Sequence, residues 1–266
     1  MKFKDIFPDP KPIIACIHLR ALPGSPGYEG NMEDVIETAL EETQIFNKYK
    51  LAGLIIENFR DMPFYPDLLP AETIASLAVV TREIVKSFHG PVGVNALRND
   101  ASAAMAIATT TGAAFIRVNV HTGASVTDQG IIQGKAHETL RLRASLKSNV
   151  LIFADVAVKH ATPLGNRSIE LETRDLTERG LADAIVVSGD MTGSEADPHK
   201  IAKVKENTSL PVLIGSGVNI HNLENHLRMS DGMIAGSTFK KDGKAINFVE
   251  SQRVDEFLKK YQTFVH

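Results

Sequence analysis

The sequence predicts a (β/α)8 barrel of the TIM type, and three observations carry that prediction. Eight short apolar, β-branched runs are spread along the 266 residues, helix-patterned segments alternate with them, and none of the eight is polar enough to be an exposed edge. Alternation of strand and helix is the pattern of parallel βαβ units. Near-continuous apolar character, without strict alternation, marks strands covered on both faces. A doubly wound open sheet also alternates strand with helix but leaves edge strands, so it is the weaker alternative. Length alone admits one large or two small domains. Barrels commonly use about 250 residues as one, and no linker, low-complexity tract or charge block divides residues 1–266, which are read as a single barrel domain.

The strands are read at residues 12–18 (PIIACIH), 52–57 (AGLIIE), 91–95 (PVGVN), 114–119 (AFIRVN), 150–156 (VLIFADV), 183–188 (DAIVVS), 211–215 (PVLIG) and 232–235 (GMIA). The clearest helix begins at Asn31, a good N-cap with Glu33 and Asp34 in its first turn, and spaces Val35, Ala39, Phe46 and Tyr49 along one face. Further helices are read at 71–88, 100–111, 135–147, 168–179, 198–207, 220–228 and 247–261. Three strand-to-helix connections, 19–30, 58–70 and 120–134, are long and rich in glycine, proline and polar residues. In a barrel they lie on the face that builds active sites, and loops of that length usually serve as lids or binding loops.

Composition excludes several function classes. A net charge of -3, with basic residues spread along the chain, provides no nucleic-acid footprint and no polybasic membrane patch. The longest uncharged stretch, 101–116, is interrupted by three threonines and Gly112 and falls short of the roughly 20 apolar residues of a membrane span. The first residues, MKFKDIFPDPK, lack the apolar run of a signal peptide, so a cytoplasmic protein is expected. Cys16 is the sole cysteine and reads as a small core residue. Mixed helices and moderate charge fit a homo-oligomer.

Two constellations could carry chemistry. The first is Gly215-Ser216-Gly217-Val218 after the seventh strand with Gly236-Ser237 after the eighth. Backbone N–H groups of such turns hold phosphates at this position in barrels, aided by the dipole of a short helix, here expected from about Asn219. Lys240 would close over the phosphate. Tight turns that merely need glycine are the alternative. The second constellation is the set of polar residues at strand ends: His18, Glu57, Asn95, Arg117, Asn119, Asp155, Lys159, His160 and Ser188. Asp155 or Glu57 would act as general base with His160 or His18 as its acid partner. Asn95, Arg117 and Asn119 would orient oxygens and stabilise an oxyanion. Lys159 reads as an imine-forming amine, a phosphate contact or a solvated loop lysine. Each strand-end residue could instead be a cap, a surface charge or a layer inside the barrel. The histidines form no metal motif, and no cofactor fingerprint appears. Glu57 or Asp155 with a substrate phosphate leaves room for Mg2+.

Taken together, several segments resemble the BtpA family, named for a photosystem I biogenesis protein and including SgcQ-type proteins of heterotrophic bacteria. They are His18 to Gly24 (HLRALPG), Glu57-Asn58-Phe59 with Asp61 and Pro63-Phe64, Gly93 to Asp100 (GVNALRND), Phe115 to Asn119 (FIRVN), Ala154-Asp155-Val156 with Lys159-His160, Val187-Ser188-Gly189 with Thr192-Gly193, Gly215 to Val218, and Phe239 to Gly243 (FKKDG). The resemblance spans about residues 11–255. It implies a ribulose-phosphate-binding-type barrel and a ligand site at the strand ends. Two functions follow as expectations. One is an enzyme acting on a small phosphorylated metabolite, a sugar phosphate or phosphoribosyl compound, by lyase, aldolase or isomerase chemistry. The alternative is a non-catalytic binding or assembly factor of the BtpA type.

Overall fold

The computed structural model describes residues 1–165, 167–189 and 195–265. Eleven strands occur among them: β1 (Ile13–His18), β2 (Gly53–Glu57), β3 (Val92–Asn95), β4 (Phe115–Val118), β5 (Ala124–Thr127), β6 (Gly130–Gln133), β7 (Leu151–Val156), β8 (Ala161–Pro163), β9 (Ala184–Val187), β10 (Val212–Ile214) and β11 (Gly232–Ala235). Eight of them close into a parallel barrel in the order β1-β11-β10-β9-β7-β4-β3-β2, and these are the eight apolar runs of the sequence. The helices are α1 (Phe3–Ile6), α2 (Met32–Lys48), α3 (Ala71–Ser87), α4 (Ala101–Thr111), α5 (Ala136–Ser145), α6 (Ile169–Arg174), which continues as a π turn over Asp175–Arg179, α7 (Pro198–Glu206), α8 (Leu223–Met229) and α9 (Ser251–Val265). None is long and apolar enough to cross a membrane.

The helix signals act as expected. Asn31 Oδ1 accepts the Glu33 N–H at 3.0 Å, and Val35, Ala39 and Phe46 are buried against the barrel. Asp100 does two jobs: Oδ1 caps α4 through the Ala103 N–H, and Oδ2 accepts the Leu69 N–H, pinning the loop after β2.

Three features differ from the sequence reading. The 120–134 connection holds a hairpin, β5 and β6, which with β8 forms an antiparallel sheet in the order β6-β5-β8. β5 (ASVT), β6 (GIIQ) and β8 (ATP) lack the continuous buried apolar run by which the barrel strands are read. The short helix expected from Asn219 starts at Leu223 instead, because the Asn219 side chain forms a turn, accepting the N–H groups of His221 and Asn222. The added α1 brings Phe3 and Phe7 to one end of the barrel. There Phe3 packs 5.7 Å from Phe153, Phe7 6.0 Å from Phe115, and Phe115 stacks on Phe153 at 4.4 Å. Gly93 makes room for this cluster, since a Cβ there would lie 2.1 Å from the Phe115 ring. The Thr192-Gly193 motif lies outside the described residues.

Candidate active site

Side chains two apart on a strand share a face. The inward core residues Cys16, Ile55, Phe115, Phe153, Val186 and Leu213 form one interior cluster. Two residues further along the same strands stand His18, Glu57, Arg117, Asp155, Ser188 and Gly215, and Asn95 follows Gly93 in the same way. The polar strand ends are thus the last layer of the barrel interior, stacked directly on its aromatic and aliphatic layer.

Arg117 organises this layer. Its Nε donates to Asp155 Oδ1 at 2.8 Å and its Nη2 to Asp155 Oδ2 at 2.9 Å and to Ser188 Oγ at 3.2 Å. Nη1 lies 3.5 Å from Glu57 Oε1, which also accepts from Asn95 Nδ2 at 3.1 Å. Asn119 Nδ2 donates to Asp155 Oδ2 at 3.0 Å, leaving Asn119 Oδ1 buried without a partner. Burial alone would raise Glu57, yet Arg117, His18, Lys159 and the Asn95 hydrogen bond outweigh it and hold the carboxyl below its ordinary value. Arg117 stays charged despite burial because Asp155 and Glu57 face it.

His18 stacks on Phe59 with ring centroids 4.4 Å apart, and its Nδ1 lies 3.1 Å from the Ala245 carbonyl oxygen. A carbonyl only accepts, so Nδ1 carries the proton. Nε2 then turns its lone pair toward Glu57 Oε2, 3.7 Å away. Burial, followed by the nearby Lys240 charge, pushes the ring down to about 4. Burial and Lys240 thus favour the neutral ring, with its proton on the side of Ala245.

Asp155 is enclosed by its partners. Its side chain has no exposed area, and both oxygens are occupied by Arg117 and Asn119. With Glu57 Oε1 also facing nitrogen donors, the two carboxylates do not form the oxygen donor set a Mg2+ ion needs. Among the described residues no group of three or more His, Cys, Asp or Glu gathers as a metal site.

A cavity of about 290 Å³ opens above this layer. Glu57, Asn95, Arg117, Asn119, Lys159 and His160 line it, joined by Arg98, Asp128, Gln129 and an apolar wall of Phe59, Met62, Phe64 and Leu97. Sequence reasoning gives no role to Arg98, which is buried and donates from Nη2 to the Lys159 carbonyl oxygen at 2.7 Å. Its sequence signals are its place in the Gly93 to Asp100 motif and a cation close behind an apolar strand. Among the described residues, neither the Arg98 guanidinium nor the Lys159 ammonium is paired with a carboxylate. Burial, then the Arg117 charge, lowers Lys159 below the ordinary lysine value. Burial, followed by Lys159, lowers His160.

The glycine turns border the same layer but do not line this cavity. Gly215 donates its N–H to Val187 O at 2.8 Å, so that group is not offered to a phosphate. A Cβ at Gly215 would lie 2.6 Å from Ser188 Oγ and 3.0 Å from Arg117 Nη2, and one at Gly236 3.1 Å from the His18 ring. These glycines let the turns after β10 and β11 press against the charged layer. Gly217 has φ +72°, and Ser216 Oγ accepts the Gly189 N–H at 3.0 Å. Among the described residues the N–H groups of Gly217 and Val218 meet no backbone acceptor. Lys240 does not close over this region. Its fully buried Nζ forms two 2.8 Å bonds to Glu42 of α2, which also accepts the Val249 N–H. Burying an ammonium requires a partner of this kind.

Other motif residues hold loops. Asn58 receives the Leu97 N–H and donates to Asp61, whose other oxygen takes the Leu22 N–H. Asn99 bonds both backbone groups of Val120.

Comparison with known proteins places this geometry. An uncharacterised protein of Pyrococcus abyssi is 42% identical over 94% of this chain and 95% of its own. The photosystem I biogenesis protein BtpA of Synechocystis is 40% identical over 93% of this chain and 86% of its own. Among solved structures, N-(5'-phosphoribosyl)anthranilate isomerase from Pyrococcus furiosus superposes with a TM-score of 0.55 at 15% identity, over 95% of this chain and 99% of that one, which shows the shared barrel fold. The model of the BtpA family matches residues 9–263, and with relatives at this identity over nearly their whole length, the chain belongs to the BtpA family.

Proposed function

We propose that this protein is an enzyme acting on a small phosphorylated metabolite at the mouth of its barrel, by lyase, aldolase or isomerase chemistry. The observation that carries the reading is the cavity's charge inventory. Among the described residues Arg98 and Lys159 line it with no ion-paired carboxylate, while Arg117 is already matched by Asp155 and Glu57. Asp128, the remaining acid, is exposed at the rim. Unmatched cations at a partly enclosed site favour an anionic ligand. A barrel relative in fold that isomerises a phosphoribosyl compound is consistent with this.

In this reading Glu57 is the base that touches the substrate, since it lines the cavity and is ionised near pH 7. Asn95, Arg117 and the unpartnered Asn119 Oδ1 orient substrate oxygens and hydroxyls. Asp155, His18 and Ser188 are positioning residues that fix Arg117 and Glu57. Arg98 is the phosphate end of the cavity, which the turns after β10 and β11 border without lining. The test is a thermal-shift panel of triose, pentose and phosphoribosyl phosphates against their dephosphorylated forms. Stabilisation by phosphorylated members only, lost in Arg98→Met, supports the reading. An unmoved melting temperature across the panel refutes it.

A further inference from the structure

We propose that Lys159 is an imine-forming lysine whose Nζ condenses with the carbonyl carbon of a phosphorylated aldehyde or ketone held in the cavity with Glu57, Arg98 and Arg117. The proposal rests on the phosphorylated-ligand reading and names the substrate as one that carries a carbonyl group.

The molecule supplies its own comparison. Other lysines are drawn into the fold and have acceptors, among them Lys135, which bonds Asp67. Lys240 Nζ is bound by both oxygens of Glu42. Lys11 Nζ reaches the carbonyl oxygens of Leu227 and Ser230 at the end of α8. Lys159, partly buried, has no such acceptor among the described residues and points its chemistry into a cavity instead. A structural lysine would be expected to have a counter-charge. A lysine used as a nucleophile needs the opposite: desolvation and neighbouring cations, which favour the neutral amine. Arg117 and Arg98 line the same cavity, and Phe59, Met62, Phe64 and Leu97 supply an apolar wall. Lowering of the amine by burial and by Arg117 agrees with this geometry. Glu57 is the buried carboxylate of the cavity and is placed to relay protons.

The step balances without a co-reactant. The neutral Lys159 amine adds to the carbonyl carbon, the C=O π pair moves to oxygen, and one nitrogen proton passes through Glu57 to that oxygen. The resulting carbinolamine loses water as the nitrogen lone pair forms C=N, and one proton taken up leaves an iminium. The iminium then accepts the electron pair released when an adjacent C–H or C–C bond breaks, giving an enamine. Hydrolysis reverses the condensation, consuming the water that was released. This is the electron sink that aldolase, lyase or isomerase chemistry requires.

The experiment is reductive trapping at pH 7. Wild-type protein is mixed with glyceraldehyde 3-phosphate and borohydride, and adducts are located by peptide mass mapping. The adduct should map to Lys159 in preference to exposed lysines, saturate with ligand, and fall when inorganic phosphate competes. Lys159→Arg keeps the charge and should lose the adduct while still binding inorganic phosphate. Mapping on the wild type makes the result independent of how the variant folds. Adducts spread over exposed lysines without saturation, or undiminished in Lys159→Arg, overturn the proposal. If inorganic phosphate binds but no saturable adduct forms, the imine is refuted and the phosphate reading stands; if neither occurs, both fall.

Discussion

The two ends of this barrel solve opposite problems with the same strands. At the α1 end, Phe3, Phe7, Phe115 and Phe153 fill the interior with aromatic contacts. At the other end, two residues along, the same strands carry Arg117, Asp155, Glu57 and His18 in a desolvated cluster. Aromatic packing stabilises the fold directly. A buried ion network of this kind often does no better than an apolar replacement. Its presence at the loop-bearing end therefore agrees with the ligand site proposed there, while the other end serves stability.

The comparison breaks most visibly at Arg117. Arg117→Ala leaves Asp155 and Glu57 buried without a counter-charge, and removing one partner of such a pair costs about 3–5 kcal/mol. Denaturant unfolding should show that loss, together with loss of sugar-phosphate binding. A variant as stable as wild type would mean the network is not the keystone of its layer.

Acid should attack the same end. His18 is held near 4 in the folded state against about 6.5 unfolded, so between those values the unfolded chain binds the extra proton. Stability contributed by the neutral ring is complete above pH 6.5 and lost as pH falls toward 4, by up to about 3 kcal/mol. Unfolding measured across this window should flatten in His18→Gln. An unchanged slope would remove His18 from the account.

A milder change sharpens the contrast at the aromatic end. Phe153→Leu should lower stability by about 1–1.5 kcal/mol and leave sugar-phosphate affinity unchanged in titration. Altered affinity would show that the two layers are coupled rather than stacked.

Much of this contrast is legible in the sequence. The barrel follows from eight apolar runs, and the charged layer follows from a polar residue two places beyond an apolar one on strand after strand, as in Phe115 and Arg117 or Phe153 and Asp155. What a linear pattern cannot show is which partner each charge meets. Lys240 lies 198 residues from Glu42, so its burial in an ion pair is invisible until the fold brings α2 beside it. Asp155 and Glu57 look alike as strand-end carboxylates, but Asp155 is enclosed by Arg117 and Asn119 while Glu57 lines the cavity. Arg98 escapes notice because its position depends on a loop pinned by Asn58 and Asp100.

The smallest expected effect on stability belongs to Lys159→Met, within about 0.5 kcal/mol, because no ion pair is lost. The most direct test of the central claim, that this end of the barrel binds a phosphorylated metabolite through unmatched cations, uses Arg98→Met. Calorimetric titration should compare the tightest sugar phosphate of the thermal-shift panel with its dephosphorylated sugar, on wild type and Arg98→Met. A charge-assisted hydrogen bond contributes about 1.5–3 kcal/mol, so the account predicts binding of the phosphorylated form only, weakened about 10- to 100-fold in Arg98→Met. Equal affinity for the two sugars, or equal affinity of the two proteins for the phosphate, would contradict it.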